Sequence, residues 1–177
     1  MLNTITWYMP LLLTLSVLIV TWRFGDWRGW RKFYPTILFV NIVSFFAYVL
    51  TYEYPLWFYQ ESFMLSNRMM HEFRLIFFLF PAIIILFFTF YPHGSRIPRR
   101  LAYIVLWGII WSALEILYLA SEIITYHHGW NFWWSFVVWI ILFFVITIHQ
   151  RKPMWAWLIC VSFSVFVINY FNIPFGK

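Results

Sequence analysis

The sequence predicts an all-α fold, a polytopic bundle of about six membrane-spanning helices with both termini outside. Three observations carry this expectation: a composition poor in charge, charge-free stretches of span length, and an uneven split of Lys and Arg between alternate loops. Of the 177 residues, 64% are hydrophobic, 26% aromatic and only 10% charged. Soluble domains carry about 25% charged residues, so this chain lacks the polar surface to cover a folded ball in water. Disordered tails, disulfide-stapled secreted domains and ordinary cytosolic enzymes are excluded on composition.

A membrane helix needs roughly 20 largely uncharged residues to cross about 30 Å of hydrocarbon. No Asp, Glu, Lys or Arg interrupts 2–22, 33–52, 75–94, 101–114, 123–150 or 153–176, and the fourth stretch runs on to Ile124 through two glutamates. The chain 1–177 therefore reads as a single integral membrane domain with spans near 4–22, 34–52, 75–91, 101–124, 131–149 and 154–173. Helices are required because they satisfy every backbone donor and acceptor inside lipid. A barrel would need strict alternation where these runs are continuously apolar.

The span at 4–22 has no basic leader and no small-residue cleavage site, so a retained helix is expected there. Trp7, Tyr8 and Trp22 flank it, and Trp27, Trp30, Tyr52, Tyr54, Trp57, Tyr126 and Trp130 fall near other span ends, as interface anchors do. The loop after 34–52 is the longest and carries charges of both signs. Across 60–74 the apolar Phe63, Met64, Met70 and Phe73 alternate with Glu61, Asn67, Arg68, His71, Glu72 and Arg74, which predicts an amphipathic helix on the outer surface. Arg68 and Glu72 stand i, i+4 and are spaced to pair. Pro81 interrupts the span at 75–91, where it should free a carbonyl one turn back and kink the helix unless a neighbour compensates. Asn41, Asn169 and Asn172 lie in or near spans and read as helix-to-helix hydrogen-bonding groups.

Orientation follows from the basic residues. Arg23, Arg28, Arg31, Lys32, Arg96, Arg99, Arg100, Arg151 and Lys152 fall in the odd loops, against only Arg68, Arg74 and Lys177 on the other side. Nine against three places the odd loops in the cytoplasm. The net charge of +6 is explained by this asymmetry facing anionic lipid, so no nucleic acid partner is expected. Cys160 is the only cysteine, which excludes an internal disulfide and a shared Cys metal site.

Glu115 is the most informative residue. Fifteen residues beyond Arg100, at about 1.5 Å each, it lies roughly 22 Å into the core. A carboxylate at depth costs about 2.5–3.5 kcal/mol, so it should face the bundle interior or a wet cavity. Glu122 lies seven residues on, with Trp111 and Tyr118 in helical phase, so one stripe of the fourth span reads as polar and aromatic. Three roles stay open for Glu115: a structural interhelix bond, a transport or proton site, and catalysis. An outer-face cluster of His71, Glu72, Arg74, Arg68, His127 and His128 is a candidate proton path or divalent-metal site, though the two loop histidines read as exposed loop residues before they read as metal ligands. His71-Glu72 is followed at the fourth position by Leu75, not a histidine, so the metalloprotease motif fails. No phosphate-cradling Gly-rich loop and no nucleophile elbow occurs, so no cofactor, no metal and no catalytic residue is expected.

The order Phe80-Pro81, Tyr91-Pro92, Arg100, Tyr103, Trp107, Glu115, then Tyr126-His127-His128-Gly129-Trp130 with Ser135 and Phe136, resembles a family of small multi-pass membrane proteins. That family is uncharacterised and found mainly in Gram-positive, often spore-forming, bacteria. The resemblance covers 53–151, about 100 residues. It implies a polytopic fold and no assigned activity; Glu115 and Gly129-Trp130 match recurring positions without acquiring roles, and one span after Arg151 is extra. The expected function is a non-enzymatic accessory or envelope component of the cell membrane, with the lipid bilayer and a membrane protein or second copy as partners. The alternatives are a small transporter or proton-linked carrier using Glu115 and Glu122, and an intramembrane enzyme or metal site of His71, Glu72, His127 and His128.

Overall fold

Seven α-helices and two short strands follow one another in the computed structural model, which describes residues 4–174. They are α1 (Thr4–Phe24), α2 (Trp30–Leu50), β1 (Trp57–Tyr59), α3 (Arg68–Arg74), α4 (Phe80–Thr89), α5 (Ile97–Ala120), β2 (Ile124–Tyr126), α6 (Phe132–His149) and α7 (Pro153–Tyr170). A π-helical turn, Leu75–Leu79, joins α3 to α4 into one continuous rod. Six helical stretches are then long and apolar enough to cross a membrane, the third being Arg68–Thr89. That architecture is consistent with a multi-pass membrane protein.

The third rod is the centre of the bundle. Just over half of its most apolar window, 56%, is buried, against 6% for α7 at the periphery. Its α4 portion packs on α1 and α2, while α5, α6 and α7 pack in sequence beside it. Phe87, fully buried, meets the rings of Tyr103 at 5.1 Å, Phe143 at 5.1 Å and Trp107 at 5.4 Å, and its carbonyl accepts the Tyr103 hydroxyl at 2.9 Å. Gly108 lets α5 close on α6, since a Cβ there would strike the Ile140 side chain.

Pro81 frees a carbonyl in the third rod and a neighbouring helix compensates, with a π turn setting which carbonyl it is. The π turn precedes Pro81, with the Phe80 N–H donating to the Leu75 carbonyl five residues back. In that register the next donor would be residue 81, and proline has none. The orphaned Ile76 carbonyl is taken by Asn41 of α2, whose side-chain nitrogen lies 2.9 Å away in the amide orientation that satisfies both ends of the group. Asn41 is thus the interhelix bond expected of it; Asn169 is exposed and donates within its own helix to Val165 at 2.7 Å.

Three expectations are corrected. The segment 60–74 is no surface helix: 60–67 is turn and bridge, and α3 begins at an Asn67 cap whose side chain accepts the Met70 N–H at 2.9 Å. From there Arg68, His71, Glu72 and Arg74 run straight into the bundle, all buried, so the third span starts at Arg68 and not near 75. Arg68 and Glu72 form no ion pair; the Arg68 guanidinium instead holds the end of α2, donating to the Thr51 carbonyl at 2.6 Å and hydroxyl at 2.7 Å. The fourth span ends at Ala120, short of 124, in a left-handed cap: Glu122 has φ 56°, Glu122 N–H reaches Leu119 O at 3.0 Å and Ile123 N–H reaches Tyr118 O at 2.9 Å. Glu122 therefore leaves the helix, exposed, and does not continue the Glu115 stripe.

β1 and β2 pair antiparallel, with Trp57 opposite Tyr126, Phe58 opposite Thr125 and Tyr59 opposite Ile124. Two strands alone are marginal in water; these rest on Leu56, Trp130, Phe171 and Ile173 on one side and Tyr118, Ile123 and Ile124 on the other. Trp7 of α1 and Phe171 after α7 both lie at this sheet end, so the first and last spans begin and finish on the same side of the bundle. The opposite end carries the nine Lys and Arg of the odd loops.

Candidate functional site

Two rows of polar side chains converge beneath the sheet. The first comes from α3, where Arg74 donates to the Thr14 hydroxyl at 2.6 Å and the Pro10 carbonyl at 3.1 Å, anchoring the rod to α1. His71, fully buried, stacks flat on Tyr59 with centroids 5.0 Å apart, and its Nε2 is 3.4 Å from the Ser62 hydroxyl. Glu72 lies in the field of Arg68 and Arg74 and near Trp57. On β1 the Tyr59 phenol is held well above its ordinary value of 10, by burial first and then by the Glu72 and Glu115 carboxylates.

The second row is the α5 stripe of Trp111, Glu115 and Tyr118, which the helical period does bring to one face. Glu115 is the acceptor at the end of a relay. Trp130 Nε1–H donates to the Ser135 hydroxyl at 2.9 Å, Ser135 and Tyr126 hydroxyls are 3.0 Å apart, and the Tyr126 O–H donates to Glu115 Oε1 at 2.6 Å. The other carboxylate oxygen accepts Trp139 Nε1–H at 2.7 Å. One side chain so ties α5 to both β2 and α6. Burial, then the neighbouring Glu115, raise the Tyr126 phenol above its ordinary value of 10.

Between the rows lies a cavity of about 300 Å³. Its long walls are apolar, from Val40, Val43 and Ala47 of α2, Leu142 and Val145 of α6, and Cys160, Phe163 and Val167 of α7. Its polar lining comes chiefly from Tyr59, Glu72, Arg74, Glu115 and Tyr118. α2 and α7 touch through Phe39 and Trp157, 4.8 Å between ring centroids, and both line the cavity beyond that contact. A site of this kind, mostly apolar with a few convergent polar groups, is what small-molecule and lipid pockets look like.

Of the residues singled out in the sequence, His71, Glu72, Arg74, Glu115 and Tyr118 gather around this cavity or just behind it. Glu122 stands outside it. His127 and His128 are exposed on the far side of the sheet, His127 Nε2 3.0 Å from the Thr125 hydroxyl and His128 stacked on Tyr54 at 3.7 Å. Among the described residues no three of His, Cys, Asp and Glu converge to hold a metal. Sequence reasoning missed Tyr59 and Trp139 and took Tyr126 and Trp130 for interface anchors only. The available signal was the spacing of Ser135 and Trp139, four residues apart on one face of the fifth span.

No protein-family model matches the chain, and neither a curated protein sequence nor a solved structure matches it.

Proposed function

We propose that this chain is a non-enzymatic component of a bacterial cytoplasmic membrane, an accessory or envelope protein that holds one amphiphile in the cavity beneath its sheet. The observation that carries the reading is the pairing of an apolar cavity of about 300 Å³ with a polar end built from buried side chains. Such a volume lies in the range of ligand pockets, and its walls suit a hydrocarbon chain entering from the bilayer between α2 and α7. The sheet end faces outward in this reading, because nine of the twelve basic residues lie at the other end. The sparsely buried α7 offers a face to a membrane protein partner or a second copy.

The test is native mass spectrometry of the full chain gently extracted from its own membrane. One hydrocarbon-bearing molecule per chain is expected, and its loss in Ala47→Phe, which fills the cavity from α2. Equal loading of both proteins, or a bare wild-type chain, would refute the reading. A second protein at fixed stoichiometry would identify the partner that an accessory subunit serves.

A second reading, a proton-linked carrier, is favoured by one observation: Glu115 lines the cavity. It requires that Glu115→Gln abolish flux while the fold persists.

A further inference from the structure

The polar end of the cavity carries more than a generic greasy pocket needs. Arg74, Trp111 and Tyr118 line the cavity and are buried; Arg74 Nε and Trp111 Nε1 have no hydrogen-bond partner, and the Tyr118 hydroxyl, beside the Arg74 guanidinium that donates toward its oxygen, keeps its O–H proton free. Each of these is a donor. Against them stands one free acceptor, Oε1 of Glu72. The Glu115 oxygens are both occupied, by Tyr126 and Trp139. A buried polar group without a partner costs about 1–3 kcal/mol, so three donors and one acceptor left open in one place describe the complement of something absent from the chain itself.

Charge narrows the complement further. Arg74, Glu72 and Glu115 line the cavity and Arg68 stands behind its wall at Thr51, so with all four counted the formal charge around this end sums to zero. An anionic or cationic head would bring an uncompensated charge into a low-dielectric bundle, the costliest kind of burial. A head that accepts several hydrogen bonds, donates one and carries no charge meets both conditions.

We infer that the ligand of the cavity is an uncharged single-chain amphiphile whose head presents carbonyl or ester oxygens beside a hydroxyl, its oxygens toward Arg74, Trp111 and Tyr118 and its hydroxyl toward Glu72. This rests on the amphiphile-holding function proposed above and adds the chemistry of the head. The hydrocarbon chain runs along α2, α6 and α7, past the thiol of Cys160, which lines the same wall.

Three probes with the same chain and different heads test it: monooleoylglycerol, oleate and oleylamine, each offered at equal concentration to the purified full chain in dodecyl maltoside at pH 8. Binding is read by native mass spectrometry, and independently as protection of Cys160, the sole cysteine, from N-ethylmaleimide. Monooleoylglycerol is expected to bind one per chain and at least about tenfold more tightly than either charged probe, which corresponds to about 1.4 kcal/mol. Tyr118→Phe, which removes one donor and no bulk, should narrow that preference with the chain still bound. Oleate or oleylamine binding as well as the ester would overturn the head assignment and leave the amphiphile-holding function standing. If none of the three binds the wild-type chain better than Ala47→Phe, the function and the head assignment both fall.

Discussion

Replacing Glu115 separates a structural tie from a proton site. The carboxylate accepts two short hydrogen bonds, from Tyr126 at 2.6 Å and Trp139 at 2.7 Å. Hydrogen bonds between membrane helices are worth about 0.6 kcal/mol on average and at most about 1.7. Bonds to a charged acceptor are roughly twice as strong as neutral ones, so both belong near the upper limit. Glu115→Ala should then cost about 2–3 kcal/mol, with Trp139 Nε1–H left unpaired in the bundle. Glu115→Gln keeps an oxygen for Trp139 and turns its amide toward the Tyr126 oxygen. The Tyr126 O–H is then free to donate to the Ser135 hydroxyl, already 3.0 Å away. That variant should lose about 1 kcal/mol, the surplus of charge-assisted over neutral bonds. The assay is unfolding of the purified chain in dodecyl maltoside micelles titrated with dodecyl sulfate, followed by circular dichroism. An alanine variant as stable as wild type would refute the tie between α5, β2 and α6. A glutamine variant as damaged as the alanine one would show that the charge itself, not the hydrogen-bond count, holds the site.

Asn41→Leu should destabilise the chain by about 0.6–1.7 kcal/mol by orphaning the Ile76 carbonyl; in a Pro81→Ala background, where residue 81 regains an N–H, the same change should cost much less, and additivity in a double-mutant cycle would contradict the π-turn account. Tyr59 and Tyr126 both lie above the ordinary phenol value of 10 in the fold, so the unfolded chain loses these protons first. Their contribution to stability is full below pH 10 and falls as pH rises beyond it. Unfolding measured from pH 8 to 11 should show this decline, and Tyr126→Phe should make it shallower; an unchanged slope would count against the buried phenol. Gly94 has open space around it at the basic end, so Gly94→Cys in a Cys160→Ser background should fold normally. Its labelling by a membrane-impermeant thiol reagent only after lysis is the expected result, and labelling from outside intact cells would invert the proposed orientation.

The number of spans and the basic asymmetry of the loops were legible in the sequence because both are one-dimensional properties. A helix must be about 20 apolar residues long to cross lipid whatever it packs against, and the Lys and Arg that flank it count by position alone. The interest of Glu115 followed from the same one-dimensional reading, a carboxylate well inside a long apolar helix. Asn41 was also readable as an interhelix donor, though not its acceptor.

What the tertiary structure alone decided are the features that depend on a neighbour far along the chain. Arg68 and Arg74 look like surface residues by composition; they are buried because Thr51 and Thr14, seventeen and sixty residues away, receive their guanidiniums. That satisfaction of charge moved the start of the third span back to Arg68 and dissolved the expected surface helix. Three residues at 57–59 and three at 124–126 carry little strand signal by themselves, and they pair only because buried Leu56, Trp130 and Ile124 hold them over the bundle. The cavity, its donors without partners and its cancelled charges exist only where α2, α3, α5, α6 and α7 meet. Hydropathy fixes how each helix meets lipid, whereas the interior of the bundle is set by which polar groups find one another across it.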